Sequence, residues 1–149
     1  MNVMSRVPHD SFDLSRFVVA QENSWPAALD ELRAGNKRSH WMWYIFPQFA
    51  GLGTSAMAKR YAIQTRAEAE AFLAHPLLGR RLEECAGALL GVEGRSAEQI
   101  MGFPDFLKLC SSMTLFAEVA PSGSVFERVL GKYYGGAKDG KTIRFLGAK

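Results

Sequence analysis

The sequence predicts an all-α fold, and three observations carry that expectation. Ser or Thr is followed three residues later by Glu or Gln at Thr65–Glu68, Ser96–Gln99 and Ser124–Glu127, the spacing at which a hydroxyl and a longer polar side chain cap a helix reciprocally. Apolar stretches end at Gly35, Pro47, Pro76, Gly91 and Pro121, residues that stop a helix by lacking a Cβ or an N–H. No run alternates β-branched residues with polar ones, which is what a half-buried strand requires. Together these predict a compact single-domain bundle of about six to eight helices over residues 13–146, with tails at 1–12 and 147–149.

The elements follow in order. Asp13 is the expected cap of a first helix whose Leu14, Phe17, Val18 and Gln21 share one face. Ser24, Trp25 and Pro26 restart the chain, and Ala28, Leu29 and Leu32 form a stripe that Gly35 ends. An aromatic helix is expected over His40–Phe46, capped by Ser39 and stopped because Pro47 disfavours helical geometry before it. Gly51 and Gly53 make a turn, and Thr54 starts a helix through Met57 and Tyr61. Thr65 opens the next, through Phe72, and His75-Pro76 breaks it. Leu78, Leu82, Cys85 and Leu89 then recur every three or four positions up to Gly91. Ser96 opens a short helix containing Ile100 and Met101, and Pro104 suits the first turn of a long one from Asp105 to about Ala120. Val125–Tyr134 follows, released by Gly135-Gly136, and a last turn over Lys141–Leu146 is capped near Asp139.

The totals exclude several classes. Hydrophobic residues are 48% of the 149 and charged residues 22%, a globular composition rather than a disordered one. The longest apolar run, Trp41 to Phe46, falls far short of the roughly 18 residues of a membrane span. The N-terminal stretch lacks the apolar centre of a signal peptide, so a cytoplasmic location is expected. Two cysteines, Cys85 and Cys110, stand on apolar faces, and three scattered histidines form no ligand cluster, so neither a metal nor a cofactor is expected. The net charge of +3 is concentrated at one end: from residue 128 onward six basic residues face one acid, whereas the first 127 carry 12 basic and 14 acidic.

The richest stretch chemically is Lys37 to Gly53, with Trp41, Trp43, Tyr44, Phe46 and Phe49 in nine positions. A helix apolar nearly all round is ordinarily a buried one. Yet Lys37 and Arg38 would stand just before its start, where cations oppose the helix dipole; an anion held between them and the first free N–H groups removes the conflict. His40 is the candidate proton-transfer group, since its ordinary pKa lies near neutrality; the plainer alternative is a histidine bonded to a backbone carbonyl. A second site-like run is Gly102 to Phe116. There Asp105 and Lys108 can pair on the surface, and Ser111, Ser112 and Thr114 are poor helix formers that call for hydrogen-bond partners or a ligand. No GxSxG elbow accompanies them, which argues against a serine hydrolase. Gly51-Leu52-Gly53-Thr54-Ser55 lacks the GK[ST] of a phosphate loop and reads as a turn.

DLSRFVVAQ at 13–21, AGNKRSHWMWYIFPQFAGLGTS at 34–55, YAI at 61–63, EAEAFLAHPLLGRRL at 68–82 and KLCSSMTLF at 108–116 resemble domain-of-unknown-function family 1810, small bacterial proteins sometimes labelled calpastatin-like. The likeness spans about residues 12 to 146. It implies a compact, monomeric, all-helical protein and carries over no catalytic residues, since no activity is attached to the family. The calpastatin label fits poorly: such inhibitors are disordered chains, poor in the aromatic residues this one is rich in.

The leading functional expectation is a domain that binds, and if it is an enzyme processes, a small anionic, nucleotide-like ligand. Lys37 and Arg38 would hold the anion, Trp41 or Trp43 would stack, Gln48 would orient, and Ser111 and Ser112 would supply hydroxyls. The first alternative is a non-catalytic helical interaction module with the aromatic block as core, which requires Trp41 and Trp43 to be buried. The second is weak nucleic-acid binding through the basic C-terminal end.

Overall fold

A computed structural model describes residues 10–147. Among them ten helices follow one another: α1 (Ser15–Gln21), α2 (Trp25–Arg33), α3 (Met42–Ile45), α4 (Ala56–Arg60), α5 (Arg66–Ala74), α6 (Leu78–Leu90), α7 (Ala97–Met101), α8 (Asp105–Val119), α9 (Val125–Tyr134) and α10 (Gly140–Gly147). The fold is all-α, as expected; the count exceeds six to eight because α3, α4 and α7 are separate pieces of about one turn. The described residues hold no named strand, only an isolated parallel bridge between Phe49 and Ile63. No helix among them is long and apolar enough to cross a membrane. Residues 1–9 and 148–149 of the expected tails lie outside the described residues.

The long helix α8 is the centre of the bundle. Helices α5, α7, α9 and α10 all pack on it, and Ser111 through Ala117 are buried without interruption. Helical spacing alone would put Ser112 and Leu115 on one edge with Asp105 and Lys108, yet both are buried: once neighbours cover a helix on every side, periodicity no longer marks an outer face. Edge-on and tilted aromatic contacts tie the layers together, Phe17–Phe72 at 5.0 Å, Phe72–Phe116 at 5.3 Å and Phe116–Phe126 at 5.9 Å between ring centres, a geometry that favours ring edges on ring faces. Gly79 lets α6 come against the end of α5: a Cβ there would lie 2.0 Å from the Leu73 carbonyl oxygen.

The caps refine the sequence reading. Asp10, not Asp13, caps α1, its carboxylate accepting from the Leu14 and Ser15 N–H groups at 2.6 and 3.0 Å. Asp13 instead takes a left-handed turn (φ 53°), which Asp tolerates better than most residues. Ser55, not Thr54, caps α4. Only Ser96–Gln99 is a full reciprocal box. The Glu68 carboxylate turns to the Gln64 N–H and to Arg16, and that of Glu127 to the Gly123 N–H. His75 also caps: its Nδ1 accepts from the N–H groups of Leu77 and Leu78, which fixes the proton on the other ring nitrogen.

Candidate functional site

The segment Lys37–Trp41 does not form the start of a helix. Ser39 is no cap, because its hydroxyl donates to Glu31 Oε2 at 2.6 Å. Helix α3 shrinks to four residues, with Trp41 before it and no side-chain cap. The cause is Glu31 on α2. Its Oε1 accepts from the Arg38 N–H, the Ser39 N–H and the Trp41 indole N–H, at 2.9, 3.0 and 2.9 Å. These donors are what a helix N-terminus would have pointed at an anion; here a carboxylate of the protein takes them. Burial works to raise the Glu31 pKa, but the hydrogen bonds from Ser39, Arg38 and Trp41 outweigh it and bring the group down to about 2.

Held in this way, the segment forms one wall of a cleft of about 340 Å³ whose other wall is the turn before α8. Lys37, Arg38, His40 and Trp43 line the first wall, and Phe103, Pro104 and Asp105 the second. Lys37 clamps the two together. Its Nζ lies 2.8 Å from Asp105 Oδ2 and donates to the Ser39 carbonyl at 2.5 Å, and its N–H bonds the Ile100 carbonyl. The Lys37 and Asp105 side chains are 7% and 19% exposed, so the lysine charge is matched inside the protein. Arg38 and His40 are exposed at the rim. Phe103 is 74% exposed, projected by Gly102 in a φ 82° conformation suited to glycine.

The structure thus brings Lys37, Arg38 and His40 together and adds Trp43. Trp41 is 1% exposed and belongs to the core, so Trp43 is the indole available to a ligand in the cleft. Gln48 does not line this cleft; its carbonyl accepts from the Ile63 N–H beside the isolated bridge. Ser111 and Ser112 are not there either. Ser111 bonds back to the Leu107 carbonyl, and Ser112 is 0% exposed with its hydroxyl unpaired. It is the front of the Gly102–Phe116 run, not its hydroxyl stretch, that meets Lys37–His40.

Asp105 and Phe103 line the cleft but are not among the residues the sequence points to as binding. Asp105 reads from the sequence as a surface partner of Lys108, a contact that exists at 3.7 Å but is longer than the one to Lys37. Phe103 carried a usable signal: an aromatic between Gly102 and Pro104 stands in a turn, where it has little to bury against. A smaller recess of about 230 Å³ shares His40 with the cleft as a lining residue and is lined further by Asn23, Ser24, Ser39 and Tyr44. At the basic C-terminal end, Lys132 bonds the Leu90 and Val92 carbonyls and Lys138 pairs with Glu118. Arg128, Lys141 and Arg144 stand exposed, and Lys149 lies outside the described residues. Among the described residues, no group of three or more His, Cys, Asp or Glu is placed to hold a metal ion.

Fold and cleft define a single-domain, all-helical protein with one wall of its cleft cationic and aromatic. The chain belongs to the family described as "Protein of unknown function (DUF1810)", whose profile matches residues 11–146. It is similar to the conserved hypothetical protein Rv1873 from Mycobacterium tuberculosis, solved as a crystal structure. The two share 53% sequence identity and a TM-score of 0.92, over 94% of this chain and 100% of that one. No curated protein matches.

Proposed function

We propose that the cleft between Lys37–Trp43 and Phe103–Asp105 binds a small anionic, partly aromatic molecule of the nucleotide class. The observation that carries this is Phe103: a phenyl ring 74% exposed on the same cleft as Trp43, Arg38 and His40. Exposed aromatic rings offer stacking faces to a flat heterocycle, and a guanidinium at the rim offers a planar fork to a phosphate or carboxylate. The Lys37–Asp105 pair holds the two walls in register, leaving Arg38 as the charge for the anion. His40, exposed at the rim, is the candidate proton-transfer group of the cleft.

The test is a thermal-shift screen of nucleotides and aromatic acids, followed by calorimetric titration of each hit on the Arg38→Ala and Phe103→Ser proteins. Both substitutions are expected to weaken binding about tenfold or more while leaving the melting temperature nearly unchanged. Hits whose affinity neither substitution alters would remove the reading.

One observation favours a second reading, a helical interaction module. Phe103, in the turn before α8, and Leu107, in its first turn, are 74% and 50% exposed, two large apolar side chains at the same end of the helix. Leu107 does not line the cleft. Leu107→Ser therefore separates the two: it weakens a protein partner and leaves a cleft ligand untouched.

A further inference from the structure

We infer that the ligand carries a vicinal diol next to its aromatic group, as a ribonucleotide does, and that the recess formed by Asn23, Ser24, Ser39 and Tyr44 receives it. This rests on the nucleotide-class reading of the cleft given above. The recess of about 230 Å³ and the cleft of about 340 Å³ share His40 as a common wall. Small-molecule sites run from about 300 to about 1,000 Å³. The cleft alone stands at the bottom of that range and the recess below it, so a ligand with a base and a sugar would reach past His40 from the aromatic cleft to the hydroxyl-lined recess.

The two compartments differ in chemistry. The cleft carries charge and aromatic faces. The recess, His40 apart, is lined by uncharged residues, and its polar groups are hydroxyls and an amide. That set suits the neutral hydroxyls of a sugar and brings no lysine or arginine to an anion.

Its hydrogen-bonding capacity can be counted. Ser39 spends its proton on Glu31 Oε2 at 2.6 Å, so towards the recess it is an acceptor only. Tyr44 Oη and Ser24 Oγ lie 2.8 Å apart. One hydrogen bond between two hydroxyls uses one of their two protons and leaves the other to donate. The Tyr44 contact to the His40 carbonyl, at 3.5 Å, is at the limit of a hydrogen bond and holds that proton weakly. Asn23 is exposed and brings both a donor and an acceptor. An acceptor, a spare donor and an amide side by side complement two adjacent hydroxyls, each of which gives one hydrogen bond and takes another. Tyr44 is fixed for this task by edge-on packing on Tyr61, ring centres 5.4 Å apart.

The experiment titrates AMP, GMP, CMP and UMP, their 2′,3′-dideoxy counterparts, and phenyl phosphate, which has the ring and the anion without the sugar. On the unaltered protein the best ribonucleotide is expected to bind about tenfold or more tightly than its dideoxy counterpart, the loss of roughly one or two hydrogen bonds to partly buried partners. Asn23→Ala, a change at an exposed residue, and Tyr44→Phe, which keeps the ring packing, are both expected to shrink that ratio towards one while dideoxy affinity holds. A ratio near one on the unaltered protein, with phenyl phosphate still bound and still weakened by Arg38→Ala, overturns the diol inference and leaves the anionic aromatic reading standing. No binding of phenyl phosphate or of any nucleotide overturns both.

Discussion

The indole N–H of Trp41 donates to Glu31 Oε1 at 2.9 Å, and that contact joins the largest buried side chain of the core to the loop that walls the cleft. Trp41 is anchored in the core, Glu31 gathers the N–H groups around it, and Arg38 and His40 are carried out to the rim as a result. The hydrogen bonds reach a charged acceptor, the kind whose loss costs about 1.5–3 kcal/mol each. Glu31→Gln is expected to lower stability by about 2 kcal/mol in urea unfolding and to loosen the cleft, because an amide oxygen accepts less strongly and its NH2 faces donors.

The same carboxylate predicts acid sensitivity. Glu31 sits at about 2 in the folded protein against an ordinary 4.5. Its folded-state value is depressed, so its contribution is complete above the unfolded pKa and is lost as pH falls from about 4.5 towards 2. After allowance for solvent screening of a half-buried group, the contribution is about 1–2 kcal/mol. Stability measured across that window should fall more steeply for the unaltered protein than for Glu31→Gln.

Gly79 and Gly87 both lie in α6 and predict opposite outcomes. A Cβ at Gly79 would meet the Leu73 carbonyl at 2.0 Å, whereas one at Gly87 meets nothing within 4 Å. Gly79→Ala is expected to cost more than about 2 kcal/mol, since backbone must shift. Gly87→Ala is expected to gain about 0.5–1 kcal/mol from helix propensity. Thermal unfolding of the pair decides the matter, each serving as the other's control.

His75 predicts a cap effect. Replacing it by Ala leaves the Leu77 and Leu78 N–H groups without their acceptor, at a cost of about 1 kcal/mol. His75→Asn, which offers an oxygen in a similar place, is expected to recover part of it. Equal losses in the two variants would show that ring packing, not capping, is what His75 supplies.

How much of this was legible in the sequence depends on whether the cause was local. Helix type, the Ser96–Gln99 box and the release at Gly135 are written in neighbouring residues, and the pattern showed them. The length of α3 is set by Glu31, a residue on another helix, and no window around Trp41 contains that fact. The same holds for Ser111 and Ser112, whose hydroxyls suggested a site and whose burial is decided by four other helices closing on α8. The cleft was half legible. Lys37, Arg38 and His40 stood out by composition, whereas Asp105 and Phe103 come from more than 60 residues away and became site residues only when Lys37 reached across to Asp105.

That ion pair has a kinetic consequence. A half-buried ion pair at 2.8 Å between the walls holds them in register by itself, so the proposed ligand would find its partners already in position, with little ordering left to be done on arrival. Affinity differences among ligands are then expected in how long each stays rather than how fast each arrives. Lys37→Met, which keeps the bulk and removes the clamp, is expected to reverse this and slow association.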